Sequence, residues 1–172
     1  PHYTRCYGTY GKHSWGGGGS DSNSKMQNLL PPLTAASLAV SLHGFIYGDP
    51  FDRPAFEGTR KDSLHARRVG ANFSFVTPTC CRGVKLGFVM HNRDTDRAVF
   101  HVVIGASVFR AQATCVHRCS ECAPPCAPTH VVSFTPMMSV QPETEVTVQA
   151  AQFSSATAVI EITAVYLDGC AQ

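Results

Sequence analysis

Four of the eight cysteines lie within twelve residues, and cysteine sulfur at such a spacing supports three kinds of chemistry. The four are Cys115, Cys119, Cys122 and Cys126. The first three have the spacing with which radical enzymes bind a four-iron cluster. Cys119 and Cys122 have the spacing of half a zinc site. Oxidised in pairs, the sulfurs would instead form disulfides of an extracellular domain.

The two metal interpretations leave most of the sequence unexplained. Enzymes with the iron–sulfur spacing place it ahead of a large α/β barrel, whereas about fifty strand-like residues follow Cys122 here. A zinc site could add Cys115 or Cys126, with His117 and His130 in reserve. Structural zinc usually takes its ligands from two separated pairs, whereas these four cysteines lie in one stretch of twelve residues. We therefore predict that the protein binds no metal and no cofactor.

A disulfide framework accounts for all eight cysteines. Neighbouring residues of an extended chain point in opposite directions, so Cys80 and Cys81 need different partners. A bridge between Cys6 and Cys170 would pin both ends of the chain, although many other pairings are open. The predicted disulfide cysteines are Cys6, Cys80, Cys81, Cys115, Cys119, Cys122, Cys126 and Cys170.

Length and composition predict a single secreted or surface domain. Of the 172 residues, 44% are apolar, which is enough to form a buried core. Only 15% are charged, so the surface carries little charge. Eight cysteines in a non-repetitive chain favour an oxidising compartment. The sequon at Asn72 is compatible with secretion and is the predicted glycosylation site.

Net charge and hydropathy limit the partners. The formal charge of +2 is too small to indicate nucleic acid or a membrane surface. A bilayer-spanning helix needs about 18 consecutive apolar residues, and the longest candidate, 33–47, is broken by polar side chains. We therefore expect a protein partner, such as a neighbouring subunit, or a glycan.

Residues 1–32 are predicted to form an extended N-terminal arm ahead of a domain at 33–172. The stretch after Trp15 is rich in glycine and serine and cannot build a core, although Gly16–Ser20 also equals an engineered linker. Ordering such a segment is costly, so a disulfide through Cys6 or a neighbouring subunit must hold it. The arm residues expected at an interface are Tyr3, Tyr7, Tyr10 and Trp15.

The domain consists of short strand-like segments separated by turn residues, with no amphipathic helix longer than two turns. This pattern predicts an all-β fold, an antiparallel β-sandwich or jelly roll of seven to eight short strands. In the last segment, alternation places Ile160, Ile162, Ala164 and Tyr166 on one face. The segments are 33–47, 71–76, 83–90, 98–109, 111–115, 130–134, 145–150 and 158–167.

No spacing of nucleophile, base and acid suggests an enzyme. A Gly-x-Ser-x-Gly elbow is absent from the sequence, and His43 and His101 lie within strand-like segments, as ordinary sheet residues do. The acidic residues of 51–68 are surrounded by Arg and Lys and are interpreted as ion pairs of a long loop.

Two functions of different class remain. The first is a non-enzymatic extracellular structural module, a subunit of a coat, filament or similar assembly whose arm docks on a neighbour. The alternative is a secreted, lectin-like β-sandwich that binds carbohydrate through loops at one end. The loop residues predicted for that alternative are Arg53, Arg60, Lys61, Arg67, Arg68, Asn92 and Asp94.

Overall fold

The computed structural model of the chain describes residues 4–8, 41–50, 63–91, 97–113 and 130–169, with backbone pairing alone for 4–8, 91 and 130–132. These ranges form twelve β-strands and contain no helix. The strands are β1 (Thr4–Gly8), β2 (Ser41–His43), β3 (Ile46–Gly48), β4 (Ser63–Ala66), β5 (Asn72–Val76), β6 (Gly83–His91), β7 (Ala98–Ile104), β8 (Ser107–Gln112), β9 (His130–Phe134), β10 (Met138–Ser139), β11 (Glu145–Phe153) and β12 (Ile160–Asp168).

The prediction of an all-β antiparallel fold is confirmed, but the predicted number of strands was too low. β2, β3 and β10 have three, three and two residues. Segments this short show no readable alternation, because a period of two needs at least four residues to repeat. Within the described ranges the structure contains no membrane-spanning helix.

The strands form two sheets in which every pair is antiparallel. In sheet A, β6 and β12 lie at the centre. β9 and β10 pair with the free edge of β6, while β4 and β1 pair with the other edge of β12, and β3 lies outside β4. Sheet B has the order β2-β5-β11-β7-β8.

The inward faces of the two sheets share one hydrophobic core. Phe73 and Phe75 of sheet B are completely buried and lie on one face of β5, as the alternation predicts. Across the core, the rings of Phe88 on β6 and Phe100 on β7 meet edge to face, with centroids 5.2 Å apart. Such aromatic contacts join the sheets through directional as well as apolar packing.

A β-bulge in β12 changes which residues face the core. Its pairing with β6 shifts register between Ile162 and Ala164, so an extra residue is inserted there. Ile162 faces the core before the bulge, and Val165 and Leu167 do so after it. The expectation that Tyr166 shares a face with Ile162 is therefore wrong, and Tyr166 lies on the outer face.

Part of the predicted arm belongs to sheet A of the same chain. β1 pairs with β12, and Cys6 is opposite Tyr166 in that register. The rest of 1–32, with Tyr3, Tyr10 and Trp15, lies outside the described residues, as does the side chain of Tyr7. The division at residue 32 and the interface role of the arm therefore remain predictions.

Candidate functional site

Two aromatic rings and one lysine meet on the outer face of sheet A. We call Lys85, Phe134 and Tyr166 the aromatic platform. Lys85 and Tyr166 are a cross-strand pair of β6 and β12, and Phe134 comes from β9 on the other side of β6. Lys85 Nζ lies 5.2 Å from the ring centroid of Phe134 and 5.1 Å from that of Tyr166. The rings meet edge to face, with centroids 5.7 Å apart.

Gly87 provides the space for the Phe134 ring. The two residues are directly paired, and an ideal Cβ on Gly87 would lie 3.2 Å from Phe134 Cε1 and 3.0 Å from Thr163 Oγ1. The ring can therefore lie across the sheet because residue 87 has no side chain. This arrangement, in which an aromatic residue covers a strand glycine, also stabilises the sheet.

The platform offers both an apolar and a polar surface to solvent. The Phe134 side chain is 45% exposed, whereas Tyr166 is 7% exposed and its ring packs edge to face against the Phe134 ring. The Lys85 ammonium is attracted to both rings and retains N–H donors for other partners. A flat ligand with C–H groups on one face and oxygen acceptors at its rim would match this surface.

Two clefts lie beside each other at one end of the domain, where β6 begins and β7 ends. The polar cleft has a volume of about 630 Å³ and includes Cys80, Arg82 and Gly169 in its wall. The apolar cleft, of about 590 Å³, includes Phe109 and Met137. Both clefts are lined by Ser139, Val140 and Gln141.

Of the loop residues predicted to bind a ligand, the two that the structure describes, Arg67 and Arg68, do not line these clefts. Arg67 instead donates to two main-chain oxygens, that of Thr157 at 3.1 Å and that of Pro50 at 2.6 Å, and so ties two loops together. Arg68 is exposed in a turn before β5. The remaining five predicted residues lie outside the described ranges: Arg53, Arg60, Lys61, Asn92 and Asp94.

A serine, a glutamate and a histidine also meet on sheet A, but not as a catalytic relay. Ser63 Oγ donates directly to Glu161 Oε1 at 3.0 Å, and both side chains are buried. His65 is paired with Glu161, and its Nδ1 lies 3.3 Å from the main-chain oxygen of Ser63. A nucleophilic serine needs the histidine between its hydroxyl and the acid, and here the acid occupies that place.

Two cysteines have described side chains, Cys80 and Cys81, and they differ in their bonding. Cys80 is disulfide-bonded, with a partner outside the described residues, whereas Cys81 is a buried free thiol. The predicted pairing of Cys81 is therefore not found. Cys81 is completely buried, and its thiol donates to Gly83 O at 3.3 Å. Burial, and secondarily the charge of Asp168, raises the pKa of the Cys81 thiol above 9.0.

The described residues cover only part of the predicted glycosylation, disulfide and metal sites. Asn72 is half-buried in β5, and its Nδ2 donates to Gly70 O at 3.1 Å, so glycosylation there stays a prediction. The cluster 115–126 lies outside the described residues, as do Cys170 and the side chain of Cys6. Among the side chains that are described, no three of His, Cys, Asp or Glu come together as metal ligands.

Sequence reasoning missed the aromatic platform for two reasons. The bulge in β12 reverses the face on which Tyr166 lies, and a bulge has no reliable sequence signal apart from glycine. Phe134 reaches the platform through the pairing of β9 with β6, which is far away in sequence. The Gly87 position within an otherwise apolar strand was the available signal, because such a glycine marks the close approach of another group.

No known family model and no curated protein matches the chain. A two-domain esterase active on acetylated mannans, co-crystallised with mannopentaose, superimposes with a TM-score of 0.52 at 11% identity, over 77% of this chain and 34% of the esterase. The CBM36-1 domain of a multidomain xylanase from the hindgut metagenome of Trinervitermes trinervoides gives 0.48 at 9% identity, over 80% and 95% of the two chains. The insecticidal crystal protein Cry2Aa gives 0.41 at 11%, over 64% and 17%. This chain spans about a third of the esterase, and likeness at such identity shows the fold alone.

Proposed function

We propose that the protein is a secreted, non-catalytic carbohydrate-binding domain whose binding surface is the aromatic platform. The observation that supports this function is the position of the Lys85 ammonium beside the exposed Phe134 ring and the Tyr166 ring that supports it. A pyranose has an apolar face of C–H groups and a rim of hydroxyl oxygens. An aromatic ring can cover the face, and an ammonium can donate to the rim.

The positive charge of the platform favours an acidic carbohydrate. Its cation is the Lys85 ammonium, whereas Arg82, three residues earlier, lines the polar cleft. A carboxylate on the sugar would accept a charge-assisted hydrogen bond from Lys85, which is stronger than one accepted by a hydroxyl. We therefore expect oligomers of a uronic acid to bind more tightly than neutral mannooligosaccharides, and their binding to weaken as salt is added.

Isothermal titration of the full chain with the two oligosaccharides tests this function. Phe134→Ala should weaken binding roughly tenfold, because the stacking surface is lost. Val76→Ala is a matched control, since Val76 is 44% exposed but lies on sheet B. Binding that is absent for both sugars, or equally affected by the two variants, would exclude the platform as the site. Release of reducing ends from either sugar would show that the domain is catalytic.

The described residues add no support for a coat or filament subunit. That function depended on an arm docked on a neighbour, and Thr4–Gly8 pairs with β12 of its own chain. Sedimentation equilibrium of the full chain over a range of micromolar concentrations distinguishes the two functions. A carbohydrate-binding domain should remain a monomer, whereas a coat or filament subunit should self-associate as its concentration rises.

A further inference from the structure

We infer that the outer face of sheet B is a second carbohydrate-binding surface, which takes a neutral, linear glycan laid across the strands. One row of directly paired residues crosses all five strands of this sheet, and every member of the row is polar. We call these residues the polar row: His43 on β2, Asn72 on β5, Gln149 on β11, His101 on β7 and Arg110 on β8.

The polar row points away from the hydrophobic core. Directly paired residues of neighbouring strands lie on the same face, and successive residues of one strand lie on opposite faces. The residues next in sequence to the three central members are completely buried in the core: Phe73, Val148 and Val102. The row therefore lies on the solvent side, where His43, Gln149 and Arg110 are exposed and the other two members are half-buried.

The row has the length and the spacing of an extended glycan. Neighbouring strands lie about 4.8 Å apart, so the five members span about 19 Å from first to last. The strand spacing is close to the rise of one sugar unit in an extended chain, so each strand can contact one unit. Within the described ranges, the side chains of His43, Gln149 and Arg110 make no hydrogen bond or ion pair, and their polar atoms are available to a ligand.

The side chains of the row suit hydroxyl groups. Asn72 and Gln149 each carry an amide oxygen that accepts and an NH2 group that donates, and a hydroxyl can do both. A neutral imidazole likewise has one donor and one acceptor nitrogen, while the Arg110 guanidinium only donates. The row can therefore hydrogen-bond to the hydroxyls on one side of a sugar chain.

The neighbouring row on the same face adds hydroxyls and apolar contact. Its members, in strand order, are Ser41, Ser74, Thr147, Val103 and Val108. The hydroxyl oxygens of Ser41 and Ser74 lie 2.9 Å apart, within hydrogen-bonding distance. The two valines lie on β7 and β8, where Val108 is exposed and offers an apolar surface to the C–H groups of a sugar.

Other classes of partner match this face less well. Nucleic acid is bound through several Lys and Arg side chains, and Arg110 is the only such residue in the polar row. The buried core of a protein interface is apolar, whereas the centre of this row is Gln149 between Asn72 and His101. A neutral glycan needs neither a cluster of cations nor an apolar centre.

The polar row and the aromatic platform lie on opposite sides of the molecule, on the outer faces of sheets B and A. One domain would therefore bridge two glycan chains, an acidic chain at the platform and a neutral chain at the polar row. This bridging rests on the proposed function, whereas binding at the polar row does not.

Asn72 belongs both to the polar row and to the predicted glycosylation sequon. Its Nδ2, the atom that would carry the glycan, donates to Gly70 O at 3.1 Å. An attached glycan would cover the row, so glycosylation at Asn72 and binding at the row exclude each other. The intact mass of the secreted protein should show no glycan, and a glycan on Asn72 would overturn the inference.

Titration of the isotope-labelled full chain with cellohexaose and xylohexaose, followed by amide chemical shifts, tests the location of the site. We expect at least one of these neutral sugars to shift the signals of the polar row, with an affinity that added salt does not change. No shift with either sugar, or shifts confined to sheet A, would overturn the inference. Shifts of the row with oligothymidylate alone would show that the partner is a nucleic acid and would also overturn it.

Chain length provides a second readout of the same titration. Affinity should rise from the disaccharide to about the pentasaccharide and then level off, because the sheet has five strands. An affinity that does not depend on length would contradict a glycan laid across the strands.

Substitutions on one strand give a matched comparison. Gln149→Ala should weaken binding of the hexasaccharide roughly tenfold, because the hydrogen bonds at the centre of the row are lost. Gln152→Ala is the control, since Gln152 is exposed on the same strand but is paired with Val99, outside the row. Equal losses in the two variants would contradict the site. Phe134→Ala should leave this binding unchanged, so failure of the platform and failure of the polar row can be distinguished.

Discussion

Thr77 and Thr144 are joined by two hydrogen bonds of 2.9 Å. Thr77 N donates to Thr144 O, and Thr144 N donates to Thr77 Oγ1. The buried Thr77 hydroxyl also donates to Gln141 O at 3.1 Å, and Thr77 O accepts from Glu143 N at 3.1 Å. One threonine thus fixes the loop that contributes Gln141 to both clefts.

Thr77→Val is therefore expected to lower the free energy of unfolding by about 1–3 kcal/mol. The side chain keeps its shape, but Thr144 N and Gln141 O lose their hydroxyl partner in two part-buried hydrogen bonds. Thr147→Val on β11 is the matched control and should change stability by less than about 0.5 kcal/mol. Urea unfolding followed by fluorescence measures both. Equal stability of the two variants would mean that the Thr77 hydroxyl does not stabilise the loop.

The same loop contains a backbone strain that a substitution can relieve. Glu143 has a φ of 55°, in the left-handed region where side chains cost energy. Glu143→Gly should stabilise the protein by about 0.5–1 kcal/mol, because glycine adopts this conformation without a Cβ clash.

The matched control for that change is Glu145→Gly, at the exposed first position of β11. It should destabilise by about 0.5–1 kcal/mol, since glycine in an ordinary strand loses entropy on folding. Opposite signs in the two urea midpoints are the expected outcome. A loss of stability in both variants would show that the strain at Glu143 is negligible.

Gly169→Ala should be more damaging than glycine substitution at an open turn. Gly169 has a φ of 91°, and its added Cβ would lie 2.8 Å from a main-chain oxygen, which cannot rotate away. Gly105 has a φ of 57° with no atom within 4 Å of an added Cβ. We expect a loss of about 1 kcal/mol for Gly105→Ala and about 2–4 kcal/mol for Gly169→Ala. Thermal unfolding of both variants would reveal the difference, and similar losses would argue against the close approach.

Much of the two-layered fold could be predicted, because side-chain alternation is a local property. Phe73 and Phe75 on β5, and Val84, Leu86 and Phe88 on β6, all face the core as their spacing indicates. These strands have at least five residues, so the period of two is visible in the sequence.

The candidate site could not be predicted in the same way, because it depends on pairings between distant segments. Tyr166 faces outward as a result of the bulge, and Phe134 lies over Gly87 as a result of the pairing of β9 with β6. Arg67 also shows how distant contacts change an interpretation. Its charge suggested a ligand-binding loop, and in the structure its guanidinium donates hydrogen bonds to two main-chain oxygens.

The buried Cys81 thiol leads to a prediction about the cysteine count. Eight cysteines with one free thiol leave seven, and an odd number cannot pair completely within one chain. The denatured, unreduced monomer should therefore take up at least two iodoacetamide groups, or take up one and occur as a covalent dimer. An intact mass without any adduct would contradict the free thiol.

The native protein should show much slower alkylation of Cys81 than the denatured one. Burial shields the sulfur from the reagent, and the raised pKa lowers the fraction of thiolate, the only form that reacts. The same raised pKa means that the folded state holds this proton more tightly than the unfolded state. The resulting stabilisation is present below pH 9.0, the ordinary value of the thiol, and is lost as pH rises above it. Cys81→Ala should therefore remove part of the fall in Tm between pH 8 and pH 10, whereas an unchanged pH profile would show that Cys81 titrates alike in both states.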